Sequence, residues 1–238
     1  MEEWLQRTSL LLGAEQVARL QSSRILVVGV GGVGAYAAEM LVRAGVSSMT
    51  IIDSDEVSPS NINRQLVALH STVGKIKVEV LAQRLADINP ALQLSARAQY
   101  LEVDGVEALL QEGYDFVVDA IDTVAPKVAL LAACMRQGIA VVSSMGAGAR
   151  LDPSQIQYAD IANTSICGLA RAVRSRLRKM GIRGKLPVVF STEVPRAEAV
   201  QEVTGERNKR TTVGTVSYMP AIFGCYLASY VIRKLTQQ

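Results

Sequence analysis

Cysteine and histidine are scarce in this sequence, and their spacing excludes more than their number. Cys134, Cys167 and Cys225 lie far apart without a C-x-x-C pair, and His70 is the single histidine. A zinc site needs clustered soft ligands, so no zinc is expected. A sparse, odd cysteine count fits a reducing compartment. The N-terminus, Met1-Glu2-Glu3-Trp4, is acidic and leads into no uninterrupted apolar core. A secretion signal is therefore not expected, and a cytoplasmic protein is. The most apolar late stretch, 213–232, is broken by Gly, Pro, Ser and Tyr and ends at Arg233-Lys234. A membrane span needs about 20 predominantly apolar residues, so this stretch reads as a buried helix and no integral membrane segment is predicted. Internal repeats and low-complexity linkers are also missing.

Acidic residues are absent between Asp160 and Glu193, where Arg171, Arg174, Arg176, Arg178, Lys179, Arg183 and Lys185 stand. That segment carries +7, while the remainder, with 18 basic against 22 acidic side chains, carries −4; the chain total is +3. A local patch of this kind can recruit a polyanion while the whole chain stays near neutral. What is present in quantity is apolar: 49% of the 238 residues are hydrophobic and 20% charged. That composition excludes a disordered chain and supports a sizeable core without disulfides.

The apolar residues alternate between strand-like and helix-like runs. Arg24 to Gly29, Met49 to Asp53, Phe116 to Asp122 and Ile139 to Ser143 read as buried strands, and 92–98 as an alternating one. Helices are expected over 35–44, 75–88, 105–111 and 128–137, with a last one over 221–235 and a partly helical arm before residue 20. Strand–helix alternation predicts an α/β fold, a Rossmann-like doubly wound and mostly parallel sheet, with a C-terminal extension where the rhythm breaks after Gly148.

Gly29-Val-Gly31-Gly32-Val-Gly34 follows the first strand and opens a helix, and Asp53 stands 19 residues later at the end of the next strand. In this context glycines let the backbone approach phosphates, the helix N-terminus favours anions, and the acid accepts ribose hydroxyls. The fingerprint alone would equally serve a non-catalytic dinucleotide-binding module. The residues after it point to a triphosphate: Asp53-Ser-Asp55, then Ser60-Asn61-Ile-Asn63-Arg64-Gln65, then Lys75 and Lys77. Arg64 and Lys77 can neutralise terminal phosphates. Asp122, expected at a strand end, can hold Mg²⁺, which bridges phosphates through one or two carboxylates.

The glycine turn, Asp53-Ser-Asp55, Ser60-Asn61-Ile-Asn-Arg64-Gln65, Lys77 and Asp119-Ala-Ile-Asp122 together resemble the ThiF/MoeB adenylating superfamily, relatives of ubiquitin-activating enzymes. The resemblance implies activation of a carboxylate by ATP with Mg²⁺. It implies ribose binding by Asp53, nucleotide or phosphate contacts from Asn61, Arg64 and Lys77, and a metal or transition-state role for Asp122. It also implies a homodimer in which Arg7, in Trp4-Leu-Gln-Arg7, reaches the partner's site. The nearest likeness is to the branch that uses ATP to close the threonylcarbamoyl side chain of a modified tRNA adenosine into a ring. The stretches that carry it include Pro126-Lys127, Gly146-Ala-Gly148, Asp152-Pro153-Ser-Gln-Ile156 and Phe190-Ser-Thr-Glu193. On this reading, residues 1–23 are an arm, 24–150 the nucleotide-binding core and 151–238 a substrate-binding extension of one ThiF-like adenylating domain. A sulfur-relay protein is a further partner the resemblance allows. The alternative within the superfamily, adenylation of the C-terminal glycine of a ubiquitin-like sulfur carrier, goes with two C-x-x-C zinc pairs that this chain lacks. Asp122-Thr123 also departs from the superfamily's usual Asp-Asn.

Three features remain. Arg171, Arg174 and Arg178 share a helix face, with Val173, Leu177 and Met180 on another, and Lys179, Arg183 and Lys185 extend the charge. This fits either a tRNA-backbone contact or a solvated helix face, and the absence of compensating acids favours tRNA. A second basic cluster, Gly205-Glu-Arg207-Asn-Lys209-Arg210, fits a surface turn as well as it fits nucleic acid. Cys167 and His70 are remote in sequence, so no activated nucleophile is expected.

Overall fold

A computed structural model describes residues 2–202 and 211–237. The cluster Gly205–Arg210 lies outside the described residues. The arm folds as two short helices, α1 (Gln6–Leu12) and α2 (Ala14–Ser22), ahead of β1 (Arg24–Val28). The core continues with α3 (Gly34–Arg43), β2 (Ser48–Asp53), α4 (Lys77–Ile88), β3 (Gln93–Ala98), α5 (Val106–Leu110), β4 (Phe116–Asp119), α6 (Val124–Gln137) and β5 (Val141–Ser144). Beyond it come β6 (Ile156–Asp160), α7 (Gly168–Lys179), β7 (Pro187–Ser191), β8 (Val200–Glu202), β9 (Thr211–Val213) and α8 (Tyr218–Leu235).

Seven strands form one sheet in the order β3-β2-β1-β4-β5-β7-β6, and β8 and β9 pair separately. Every pairing in the large sheet is parallel except β6 with β7. The doubly wound, mostly parallel α/β fold expected from the sequence is thus the observed one. Residue alternation distributes each strand between two apolar layers. Ile25, Val27, Met49, Ile51, Phe116 and Val118 pack with α3, α4 and α8 on one face. Leu26, Val28, Ile52 and Val117 pack with α5, α6 and α7 on the other.

Several boundaries move for local reasons. Helix α4 begins at Lys77 because Ile76 is held in a bridge with Glu56. Helix α6 begins at Val124, four residues ahead of the expected start, and its first turn accommodates Pro126, which needs no N–H partner there. Strand β4 ends at Asp119, not at Asp122. The Asp119 side chain accepts from Ile121 N at 3.1 Å, so the chain turns away from the sheet and carries Asp122 into the following loop. Helix α8 is buried against α3 at Gly224, where an added Cβ would come within 2.4 Å of the Val33 carbonyl oxygen. Among the described residues, no helix is long and apolar enough to cross a membrane.

Glu39 of α3 ties two core helices together. Its side chain is almost fully buried and accepts from Arg43 at 2.8 Å and from Arg84 of α4 at 2.5 Å. Burial alone would raise the pKa of its carboxyl, but the hydrogen bonds and charges of Arg84 and Arg43 outweigh burial and hold it below the ordinary carboxylate value. A folded pKa below the unfolded one stabilises the fold above the unfolded value, about 4.3, and that stabilisation fades as pH falls through the folded pKa. Glu39→Gln is expected to cost about 1–3 kcal/mol at neutral pH. Urea unfolding at several pH values should show the difference from the parent chain shrinking in acid below about pH 4.3.

Candidate functional site

The strand order reverses between β1 and β4, so the loops after these strands diverge at the carboxyl edge of the sheet. A crevice at such a switch point is where doubly wound folds bind ligands. A cavity of about 1050 Å³ opens there. Every nucleotide-site residue expected from the sequence, Gly34 excepted, lines it: Gly29, Gly31, Gly32, Asp53, Asp55, Asn61, Arg64, Gln65, Lys77 and Asp122.

The glycines have different tasks. Gly29 has φ +86°, and an added Cβ would lie 2.8 Å from the Ala120 carbonyl oxygen, so only glycine fits on both counts. An added Cβ on Gly31 would meet nothing closer than the Gln65 amide at 3.8 Å, which leaves the turn open toward the cavity. Gly34 corrects the sequence expectation. It lies beneath the turn, where a Cβ would be driven to 1.8 Å from the Gly29 carbonyl oxygen. It sets helix against strand and does not face a ligand.

Asp53 is held by two backbone donors, Val30 N at 2.7 Å and Asp55 N at 2.8 Å. Burial pushes its carboxyl above the ordinary range, opposed by the Asp55 N–H, Lys77 and the Val30 N–H. Lys77, itself buried, donates to Asp55 at 2.7 Å. Arg64 donates to the Ser60 carbonyl at 2.8 Å and to Asn63 at 2.9 Å. Burial lowers the pKa of its guanidinium, and the charge of Asp122 acts in the opposite sense. Asn61 is buried and accepts from Ser58 N at 3.1 Å. The Gln65 Oε1 atom is buried without a hydrogen-bond partner among the described residues. An open glycine turn, two cations and an orphaned amide in one crevice fit a nucleotide with its phosphates. No group of three or more His, Cys, Asp or Glu side chains gathers among the described residues. A Mg²⁺ ion would fit only as one held by Asp122 together with phosphate oxygens, which is a usual mode for that ion.

Residues 5–238 match the model of the ThiF family. The chain belongs to the ThiF family. It is 37% identical over 236 residues to the tRNA threonylcarbamoyladenosine dehydratase of Bacillus subtilis (strain 168), covering 96% of this chain and 93% of that one. It is 38% identical over 254 residues to the Escherichia coli (strain K12) protein of the same name, covering 98% and 95%. The crystal structure of the E. coli enzyme, TcdA, in complex with ATP superposes with a TM-score of 0.90 at 36% identity, covering 100% of this chain and 96% of that one.

Within this ThiF-family fold, several contacts support the site from below, and sequence reading gave them no role. Asp119 and Lys127 form an ion pair at 2.7 Å with both side chains wholly buried. Ser143 donates to Asp119 at 2.5 Å, and Lys127 donates to the Ile121 carbonyl at 2.9 Å. The pair therefore holds both the N–H and the carbonyl of Ile121, the residue immediately before Asp122. Pro220 of α8 lies against Gly32, 3.0 Å from where its Cβ would be, so the last helix forms part of the nucleotide wall. Arg150 and Cys167 also line the cavity. Glu193 accepts from Leu151 N at 2.9 Å and Asp152 N at 2.8 Å, which fastens the Gly146–Asp152 wall to the segment after β7.

The remaining expected residues divide. Arg7 is exposed on α1 and does not line this chain's own cavity. Arg171, Arg178, Lys179, Arg183 and Lys185 are exposed along α7 and the turn after it, while Ala170, Val173 and Leu177 face the core. Met180 is exposed, contrary to its expected place beside Leu177. Arg174 is only half-exposed, and its guanidinium donates to the Ile161 carbonyl at 3.1 Å and to Thr164 Oγ1 at 2.6 Å. It closes the turn before α7, so the exposed face is carried by its neighbours. Cys134 is buried, and its thiol is pushed up to about 12, chiefly by burial and then by Asp119. His70 is exposed and does not line the cavity.

Lys127→Met would leave Asp119 buried beside its two remaining donors. Removing one partner of a buried pair typically costs about 3–5 kcal/mol. Denaturant unfolding should show a loss of that size, and adding Asp119→Asn should recover part of it because the uncompensated charge is then gone.

Proposed function

We propose that this chain is an ATP-dependent tRNA threonylcarbamoyladenosine dehydratase. The observation that carries the reading is the end-to-end likeness to the bacterial dehydratases, which extends through residues 151–238 as well as the nucleotide core. The core alone would serve any carboxylate-activating relative.

The reaction follows from what such a cavity can do. A free carboxylate is a poor electrophile. One of its oxygens attacks the α-phosphorus of ATP, and pyrophosphate leaves. A nitrogen or oxygen of the same side chain then attacks the acyl carbon, a proton is lost and AMP departs, so the net change is removal of one water. Holding both ends of one side chain in a closed crevice replaces an external nucleophile. Asp53 takes the ribose hydroxyls. Asn61, Arg64 and Lys77 take the phosphates, with Lys77 exchanging Asp55 for a phosphate oxygen when the nucleotide enters. Mg²⁺ held by Asp122 would offset charge on the departing pyrophosphate.

The exposed cations of α7 fit a tRNA backbone, since the helix carries no acid to compensate them. A homodimer is supported by Leu10 and Leu11, each 82% exposed on α1, and by Trp4 at 40%. Arg7 stands on the same arm, exposed, and on this reading it serves the partner's cavity. The 151–238 extension is the substrate-binding part of the domain, and the protein works in the cytoplasm.

Purified protein with ATP, Mg²⁺ and threonylcarbamoylated tRNA should convert the linear side chain to the cyclic one, seen as loss of water by mass spectrometry. Bound ATP with no conversion would refute the reading. Arg7→Ala and Asp122→Ala chains should each be inactive alone and regain activity when mixed, because a heterodimer holds one intact site. If heterodimers form without recovering activity, Arg7 does not act in trans.

A further inference from the structure

We infer that the cavity contains a second anion subsite, formed by Arg150 and the N-terminus of α7, which receives the carboxylate of the substrate side chain. This deepens the dehydratase reading and rests on it. Arg150 is 3% exposed, yet no acidic side chain pairs with it among the described residues. Its Nη1 donates to the Gly146 carbonyl at 2.8 Å and the Gly148 carbonyl at 2.9 Å, and its Nε to the Glu193 carbonyl at 3.2 Å. Its Nη2 is buried without a partner among the described residues. A buried guanidinium whose only acceptors are neutral carbonyls carries an uncompensated charge, and such a group is costly unless an anion completes it.

The helix end supplies the second half. Helix α7 has 12 residues, and its N-cap, Cys167, makes no side-chain capping bond. The first-turn N–H groups of a helix have no intrahelical acceptor, and they favour an anion. Gly168 and Leu169, whose N–H groups these are, line the same cavity as Arg150. The two halves meet at Gly146: a Cβ built there would lie 3.5 Å from Cys167 Sγ and 3.9 Å from Arg150 Nη1. They belong to the β5 and α7 side of the crevice, whereas the glycine turn and Asp53 belong to the β1 and β2 side. One side of the crevice thus suits phosphates and the other suits a separate small anion. On the dehydratase reading, the anion that must enter beside ATP is the substrate carboxylate. Arg150 and the helix end would hold one carboxylate oxygen and leave the other to attack.

Steady-state conversion of threonylcarbamoylated tRNA, with ATP affinity measured separately, tests this on the full-length protein. Arg150→Met is expected to lower kcat/KM for the tRNA about tenfold or more, the loss of one charge-assisted contact, with the ATP Kd within about twofold. Arg150→Lys should recover part of the loss, because it keeps the charge. Thermal unfolding of both variants reports any damage to the wall. The inference is overturned if Arg150→Met retains kcat/KM within twofold of the parent. It is equally overturned if ATP affinity and tRNA turnover fall together, or if Arg150→Lys recovers nothing while remaining as stable as the parent; Arg150 would then only brace the loop. Absence of conversion by the parent chain would instead refute the dehydratase reading itself.

Discussion

The ion pair between Asp119 and Lys127 is the contact on which the site depends. Two opposite charges 2.7 Å apart, both shut away from water, are tolerable only when their remaining lone pairs and protons are satisfied. Ser143 and the Ile121 N–H complete Asp119, and the Ile121 carbonyl engages Lys127. These bonds come from β4, β5, the loop between them and α6. The pair therefore fixes where the sheet ends, where the helix begins and where Asp122 emerges. Hydrophobic residues of the same size would fill the space, but they would not dictate the direction in which the loop leaves β4.

The alternation of strands and helices was legible because buried parallel strands are continuous apolar runs and their flanking helices are amphipathic. The glycine turn was legible because three constraints coincide at fixed offsets. Gly34 shows the limit of that reading: a glycine demanded by the approach of helix to strand looks in sequence like one demanded by a ligand. Arg174 shows another. Its spacing from Arg171 and Arg178 places it on the charged face, but the carbonyls of Ile161 and Thr164 come from a preceding turn that no helical period contains. Asp119 and Lys127 were visible as part of a motif, yet nothing in eight residues of spacing says that both are buried. Arg150 carried no sequence mark at all, because its partners are main-chain carbonyls and its neighbour Cys167 comes from another element.

Electrostatics divide the molecule in a way that the net charge conceals. The cations inside the cavity are engaged: Lys77 by Asp55, Arg64 by main-chain and amide oxygens, Arg150 by carbonyls. Those on α7 stand in water, where a single charge contributes little and a row of them can act together on a polyanion. The same helix presents its N-terminus to the cavity and its charged face to solvent. A tRNA lying along that face would approach the crevice from the α7 side, opposite the glycine turn that suits phosphates.

The C-terminal third is therefore not an appendage to a finished nucleotide domain. Strand β7 pairs with β5 inside the sheet, and α8 packs on α3 at a point where only glycine at position 224 permits the approach. Pro220 touches the glycine turn, while Tyr218 two residues earlier donates to the Leu151 carbonyl on the opposite wall. One helix end thus spans both sides of the crevice. The start of α8 therefore touches both the glycine turn and the wall that carries Leu151. A helix end in contact with both walls ties their positions together without a separate domain between them.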